Sequence, residues 1–360
     1  MNINWLQQLK LQPWYIKLTH WEYWSFNTVY IPICWYFFLL AIRAGNISFF
    51  NAANPSIKYG GFLMESKWDI YHLLPKAYTP ITNIIYKKEN SASVCKKATA
   101  FNFPIICKPD VGSRGRGVAV IHNIAELLSY HEQVPANYLL QEKINYPLEA
   151  GIFYVRMPGK KDGIITGIVE KEFLTITGNG HDTIKALIMQ NERYVLQLHA
   201  LQQMLGNTMQ HVPLAGEKQL LVPFGNHARG CRFIDSTYRV NEKLTQVIND
   251  VCKSVDQFYF GRLDIRFKSW EALENGEHFS IIELNGSGSE PTHIYDPSRS
   301  IFSAWKEIIK HWILLYRISS SNHANGIPYL TFKETKKMFA DNKAFDKLMN
   351  NFQFDPSEER

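Results

Sequence analysis

Two short stretches in the C-terminal half carry the residues best suited to chemistry. In Gly261-Arg262-Leu263-Asp264-Ile265-Arg266-Phe267, charged and apolar types alternate. A β-strand sends successive side chains to opposite faces, so Arg262, Asp264 and Arg266 share one face and Leu263, Ile265 and Phe267 the other. In Ile281-Ile282-Glu283-Leu284-Asn285 the same rule pairs Glu283 with Asn285. The Asn275-Gly276 dipeptide between them is a turn signal and predicts antiparallel neighbours. Asp264, Glu283 and Asn285 then converge as an oxygen-only set of the kind magnesium takes together with substrate phosphates. The competing reading is a solvated polar face on a half-buried sheet.

A second candidate is the loop Lys108-Pro109-Asp110-Val111-Gly112-Ser113-Arg114-Gly115-Arg116-Gly117. Its glycines let backbone N–H groups approach an anion closely. The flanking segments, 103–108 and 118–121, read as strands, so the loop opens no helix and is neither a dinucleotide fingerprint nor a P-loop. It has the layout of a flap over phosphates, with Lys108 at its root; a plain hairpin loop has the same pattern. Gln141-Glu142-Lys143-Ile144 with Glu149 is a strand running into a connector. It could present backbone groups to a base edge and a carboxylate to ribose, or be a surface strand. Glu170-Lys171-Glu172 places Lys171 in a β-rich run, aimed at a phosphate or simply structural.

The elements that must position these residues follow from pattern. Residues 1–60 are rich in Trp and Tyr and read as a helical lobe, closed by the Gly60-Gly61 turn. Residues 65–74 read as a helix stopped by Pro75. Asn123 and Glu126 have capping-box spacing ahead of another helix. Residues 151–157 and 164–176 are β-rich. Thr183 starts a helix that continues towards Leu205. Asn241 caps an amphipathic helix with Leu244, Val247, Ile248, Val251, Val255 and Phe258 on one face. Beyond about residue 315 the chain is polar and predicts a weakly structured tail.

Composition bounds the partners. With 360 residues and 46% hydrophobic content the chain can build two or three lobes. Its 39 basic and 33 acidic residues leave a mild +6, which fits an anionic small molecule. No long basic run or zinc-finger spacing points to nucleic acid. Five scattered cysteines without a C-x-x-C pair read as reduced thiols of a cytoplasmic protein. The N-terminus lacks the early apolar core of a signal peptide. Residues 23–42 carry no charge, but Ser25, Asn27, Thr28 and Pro32 interrupt the run. A buried or interfacial helix fits better than a span, with peripheral membrane contact as the lesser reading.

Taken in order, Lys108 with its glycine loop, Gln141-Glu142 with Glu149, Gly261-Arg262-Leu263-Asp264 and Glu283-Leu284-Asn285 resemble the ATP-grasp superfamily. The nearest types are D-alanine–D-alanine ligase-like and cyanophycin-synthetase-like carboxylate–amine ligases, and the resemblance spans residues 62–300. It implies an α+β ATP-grasp fold: an aromatic-rich helical lobe (1–60), a small lobe (61–145), a catalytic lobe (146–315) and a polar tail (316–360). It implies ATP and two magnesium ions, or manganese, as cofactors. Lys108, Lys171, Lys67 and the loop residues Gly112, Ser113, Arg114, Gly115, Arg116 and Gly117 then face the phosphates. Glu142, Lys143 and Ile144 hold adenine, and Glu149 accepts from ribose. Asp264, Glu283 and Asn285 bind metal, and Arg262 stabilises the oxyanion. Gly288 or Ser289 offers a backbone N–H there, and His227 and Arg229, within Asn226-His227-Ala228-Arg229-Gly230, face the substrate.

The implied activity is an ATP-dependent C–N ligase joining a small carboxylate to an amine through an acyl phosphate. A phosphotransferase on a small acceptor and a membrane-associated nucleotide-binding module are the alternatives. The first 60 residues lack the Gly/Ser-rich, Glu-bearing loop with which D-alanine–D-alanine ligases bind their first substrate, and the glycine loop is richer in Arg. These departures leave open whether D-alanine is a substrate.

Overall fold

The structure, a computed structural model, describes residues 9–112, 115–222, 225, 227, 230–350, 352 and 354. Ser113, Arg114 and Arg229 lie outside the described residues. Residues 9–60 are largely helical, with α1 (Pro13–Thr19), α2 (Phe26–Tyr30) and α3 (Cys34–Ala44). Pro32 sits in a 3-10 turn, Ile31–Ile33, that joins α2 to α3. There its missing N–H is tolerated. Helix α4 (Lys67–Leu73) starts at Ser66, whose Oγ accepts the Asp69 N–H at 3.1 Å.

A small sheet follows. It is built from β1 (Thr82–Ile85), β2 (Ile105–Pro109), β3 (Ala119–Ile121) and β4 (Tyr138–Glu142), in the antiparallel order β1-β4-β2-β3. Helices α5 (Ser91–Ala98) and α6 (Ile124–Gln133) pack Val94, Ala98, Leu127 and Tyr130 onto Ile85, Ile105, Ile121 and Leu140. Asn123 caps α6 as its spacing predicted. The glycine loop joins β2 to β3, so it is a strand–loop–strand flap.

The second sheet has β5 (Leu148–Val155), β6 (Ile164–Glu172), β9 (Arg232–Asp235), β10 (Phe260–Phe267) and β11 (Phe279–Asn285). A side ribbon pairs β7 (Thr175–Thr177) with β8 (Lys218–Leu220). The main order is β11-β10-β5-β6-β9, antiparallel throughout. The architecture is α+β. Between β7 and β8 the chain was expected to hold one helix towards Leu205. It forms three: α7 (Ile184–Met189), α8 (Glu192–Val195) and α9 (Leu198–Leu205). Asn191 starts the second by accepting the N–H groups of Arg193 and Tyr194, which competes with helix continuation.

The apolar stripe of α10 (Glu242–Ser254) packs Leu244, Ile248 and Val251 against Leu263, Ile265 and Phe267, the face opposite Asp264. A short helix, α11 (Trp270–Glu274), precedes the Asn275-Gly276 turn. The polar C-terminal segment is not weakly structured. Its described residues form the C-terminal end of α12 (Ile301–Ala324) and all of α13 (Phe332–Met349). Ala304, Ile308, His311, Leu315, Ile318 and Asn322 of α12 are buried at helical spacing. Several are polar, which masked the stripe, and the Asn322 amide donates to Ala52 O at 2.8 Å. A capping box, Thr331 with Glu334, starts α13.

The N-terminal lobe is pinned to β10 by one buried amide. Asn54 Nδ2 donates to Gly60 O (3.0 Å) and Phe260 O (2.8 Å), and its Oδ1 accepts from Tyr259 N (2.9 Å) and Phe260 N (3.0 Å). All four groups lose this partner in Asn54→Ala, and of them Gly60 O keeps the Ser287 N–H at 2.9 Å. Because orphaned buried polar groups cost about 1–3 kcal/mol each, with partial relaxation, that variant should lose about 3 kcal/mol in a denaturant titration.

Candidate functional site

The site is built on the polar face of β10 and its neighbours. Across the β10–β11 ladder, Arg262 stands opposite Asn285 and Asp264 opposite Glu283. On the other side, Asp264 pairs with Gly151 and Arg266 with Glu149 of β5. Gly151 is a spatial requirement, since a Cβ there would lie 2.9 Å from Asp264 Oδ1. After Asp264 the β10–β11 register slips, leaving Ile282 out of the ladder. Its carbonyl instead accepts from Lys108 Nζ at 3.0 Å and from the Tyr71 hydroxyl. A β-bulge thus brings the loop-root lysine to the Asp264–Glu283 pair.

Buried charges form an alternating chain. Arg262 grips Asp264 with Nε and Nη2, both at 3.0 Å. Lys171 Nζ lies 3.3 Å from Asp264 Oδ1 and 2.9 Å from Glu149 Oε1. Arg266 Nε donates to Glu149 Oε2 at 3.0 Å. Burial alone would raise the Asp264 pKa, but Arg262 and Lys171 overcome this and hold it at about 2. Burial alone would lower Lys171, but Asp264 and Glu149 outweigh it and raise it. Lys108 is different: burial brings it down to about 8, with Glu283 only partly offsetting.

Glu283 lies nearer solvent, with a side chain 33% exposed, and Lys67 Nζ stands 3.7 Å away. The same ammonium donates to Gly112 O, so Lys67 bridges the glycine loop and β11. Arg262, Lys171, Arg266, Lys108 and Lys67 face Asp264, Glu149 and Glu283: five cations to three carboxylates. The excess of two positive charges suits a polyphosphate.

The glycine loop is rooted by Asp110, whose Oδ1 accepts from Ser66 Oγ (3.0 Å) and Trp68 N (2.9 Å) at the start of α4. Gly112, Gly115 and Gly117 all have positive φ, conformations that side chains resist. Arg116 Nη1 pairs with Asp346 Oδ1 of α13 at 3.1 Å. The C-terminal helix therefore packs beside the flap. Nothing local in the loop sequence signals that contact, because its partner lies so far along the chain.

The 142–144 segment leaves β4 beside the second sheet. Glu142 exchanges hydrogen bonds with Ile81, Lys143 Nζ donates to Asn145 Oδ1 at 2.8 Å, and Ile144 O accepts from Arg266 at 3.3 Å. Glu149 is buried with both oxygens engaged by Lys171 and Arg266. The N–H groups of Gly288 and Ser289, expected as oxyanion donors, already donate to Gly61 O (2.9 Å) and Gly286 O (3.0 Å). The seam with Gly60-Gly61 claims the first, and a local turn claims the second. Ser287 Oγ, buried beside them, has no partner among the described residues.

His227 lies against the N-terminal lobe. Its Nε2 is 3.0 Å from Glu22 Oε2, which also binds Arg193 at 2.8 Å. His227 stacks near Tyr295, Tyr295 and Tyr30 donate to Glu290 Oε1, and Arg262 Nη1 donates to Glu290 O at 3.1 Å. Glu22 and Tyr30 were missed by sequence reasoning. They belong to an aromatic-rich segment without a motif, and only the fold brings them near Arg262.

No protein-family model matches the sequence, and no curated protein matches it. Solved structures do. A bifunctional glutathione synthetase from Pasteurella multocida is similar over 73% of this chain and 38% of its own, at 16% identity and a TM-score of 0.40. A D-alanine–D-alanine ligase from Bacillus anthracis is similar over 70% and 67%, at 12% identity and a TM-score of 0.39. A VanG D-Ala:D-Ser ligase from Enterococcus faecalis is similar over 69% and 61%, at 13% identity and a TM-score of 0.40. The chain thus spans under two-fifths of the synthetase's length.

Two stability predictions follow from the charge chain. Asp264→Asn strands Arg262 and Lys171 and should cost about 3–5 kcal/mol in urea unfolding. Lys108 has a folded pKa below its unfolded 10.5, so the unfolded chain binds the extra proton between about pH 8 and 10.5. Stability relative to Lys108→Met should therefore rise with pH across that window, by up to about 3 kcal/mol.

Proposed function

We propose that the chain is an ATP-grasp enzyme of the carboxylate–amine ligase type, working in the cytoplasm on small molecules. The observation that carries the reading is the directly opposed pair Asp264 and Glu283, set among Arg262, Lys171, Lys108 and Lys67 beneath a glycine loop. The donors fit magnesium: two carboxylates on facing strands, and Asn285 two residues along with its carbonyl oxygen as the third donor. Asp264, Glu283 and Asn285 would hold the ion, which when bound offsets phosphate charge.

The chain's own groups do the rest. Lys108, Lys171 and Lys67 bind and orient the β- and γ-phosphates, and Gly112, Gly115, Arg116 and Gly117 close over them with Ser113 and Arg114. The 142–144 connector holds adenine, and Glu149 accepts from ribose between its two cations. A substrate carboxylate oxygen attacks the γ-phosphorus, the bond to the bridging oxygen breaks, and ADP leaves. An amine nitrogen then attacks the acyl carbon, Arg262 stabilises the oxyanion, and inorganic phosphate departs as the amine loses a proton. Closure of the loop excludes water, which would otherwise hydrolyse the acyl phosphate. The lobe carrying Glu22 and Tyr30, with His227 and Arg229, forms the acceptor side.

The test is ADP release with magnesium and pooled acids and amines. Release that needs both an acid and an amine supports ligation; phosphate retained on the product, read by phosphorus NMR, would reassign the chain as a phosphotransferase. Glu283→Gln should lower turnover by roughly a thousandfold while leaving the melting temperature unchanged, because its carboxylate is half-exposed and outside the buried chain. Wild-type turnover in that variant would remove the metal assignment.

A further inference from the structure

The helical run Phe26–Ala44 has 19 residues, a mean hydropathy of 1.3 and only 22% of its apolar window buried. Its inner side is committed to the protein. Ile33, Leu40 and Ala41 are buried, and Phe37 meets Phe49 and Trp312 edge-on or tilted, at 5.2 and 5.5 Å. Its outer side is not. Ile31, Trp35, Phe38, Leu39 and Ile42 are each 48–75% exposed. Their spacing of three and four residues puts them on one stripe of the helix. Trp14 and Leu18, four apart on α1, are exposed as well.

Charge decides what this stripe meets. Between residues 9 and 64 the chain has one acid, Glu22, which is buried and bound to Arg193 and His227. The four bases there, Lys10, Lys17, Arg43 and Lys58, are all exposed. Every formal charge that this lobe shows to solvent is therefore positive. A second copy of the lobe would bring like charges together, whereas an anionic bilayer offers an apolar interior under a negative surface. Trp and cationic side chains bordering an apolar stripe are what the headgroup boundary takes.

We propose that the N-terminal lobe docks the protein on an anionic phospholipid surface, with α3 lying in the plane of the interface. The helix does not span, because turning it across the bilayer would strip Leu40, Ala41 and Phe37 from the core. It sinks about 5–10 Å into the headgroup region, and Arg43 and Lys17 meet lipid phosphates. The nucleotide-site residues lie on other elements, so the protein would work while attached.

The experiment is flotation of the full chain with vesicles of phosphatidylcholine alone, or with about one-third phosphatidylglycerol. Wild type should float with the anionic vesicles, less with the neutral ones, and less again at high salt. The triple variant Trp35→Ser, Phe38→Ser, Ile42→Ser should lose partitioning by roughly tenfold or more, with an unchanged melting temperature. If that variant does not fold, Lys17→Glu with Arg43→Glu decides: anionic binding should fall several-fold. Wild type that stays at the bottom with both vesicle types overturns the proposal. So does a folded triple variant that floats like wild type. A wild-type dimer that the triple variant converts to monomer, by light scattering, also overturns it and assigns the stripe to a second copy.

Discussion

The constraint on which the rest depends is the burial of Asp264. An ionised carboxylate out of water is costly unless it is paired and its lone pairs are used. Here Arg262 and Lys171 supply the pairing, and Glu149 and Arg266 balance Lys171 in turn. Each member needs the strand beside it: β10 for Arg262, Asp264 and Arg266, β5 for Glu149, β6 for Lys171. The sheet order is thus also the order of charges. Gly151 follows from the same need, since a side chain there would push Asp264 out of line. The charges are thus paired with one another inside the protein.

Much of this was legible from period-two alternation. It put Arg262, Asp264 and Arg266 on one face and predicted that Glu283 converges with them, because the two strands flank a turn signal. The capped helices at Asn123 and Asn241 were legible for the same local reason. What escaped depends on distant contacts. The bulge at Ile282 leaves no sequence trace, yet it brings Lys108 to the site. The helical structure after residue 315 was hidden because it buries Asn322 and Thr335, polar residues that find partners only in the folded chain. The single expected helix near residue 190 failed because Asn191 offers its own side chain as a restart.

The N-terminal lobe shows how a segment without motifs is tied to a functional face. Asn54 reads the backbone at the start of β10, and Gly60-Gly61 lies against the backbone just beyond β11. No side chain intervenes in that seam, so the lobe's position is set to within a backbone contact. This closeness also uses the N–H group of Gly288, while that of Ser289 closes a local turn onto Gly286 O. Tyr30 and Glu22 reach the Glu290 and His227 neighbourhood from the same lobe.

The packing of the C-terminal helix has a consequence for how the chain is made. Met349 and Phe352 are buried in the core of the small sheet, with Phe345 and Phe354 packed against it. That sheet's last strand ends at Glu142, roughly two hundred residues earlier. At ribosomal speeds the gap is about 10 to 40 s, during which the strands that carry the glycine loop exist without the aromatic residues that complete their core. The glycine loop is therefore among the last parts of the nascent chain to settle, after all strands of the five-stranded sheet have been made.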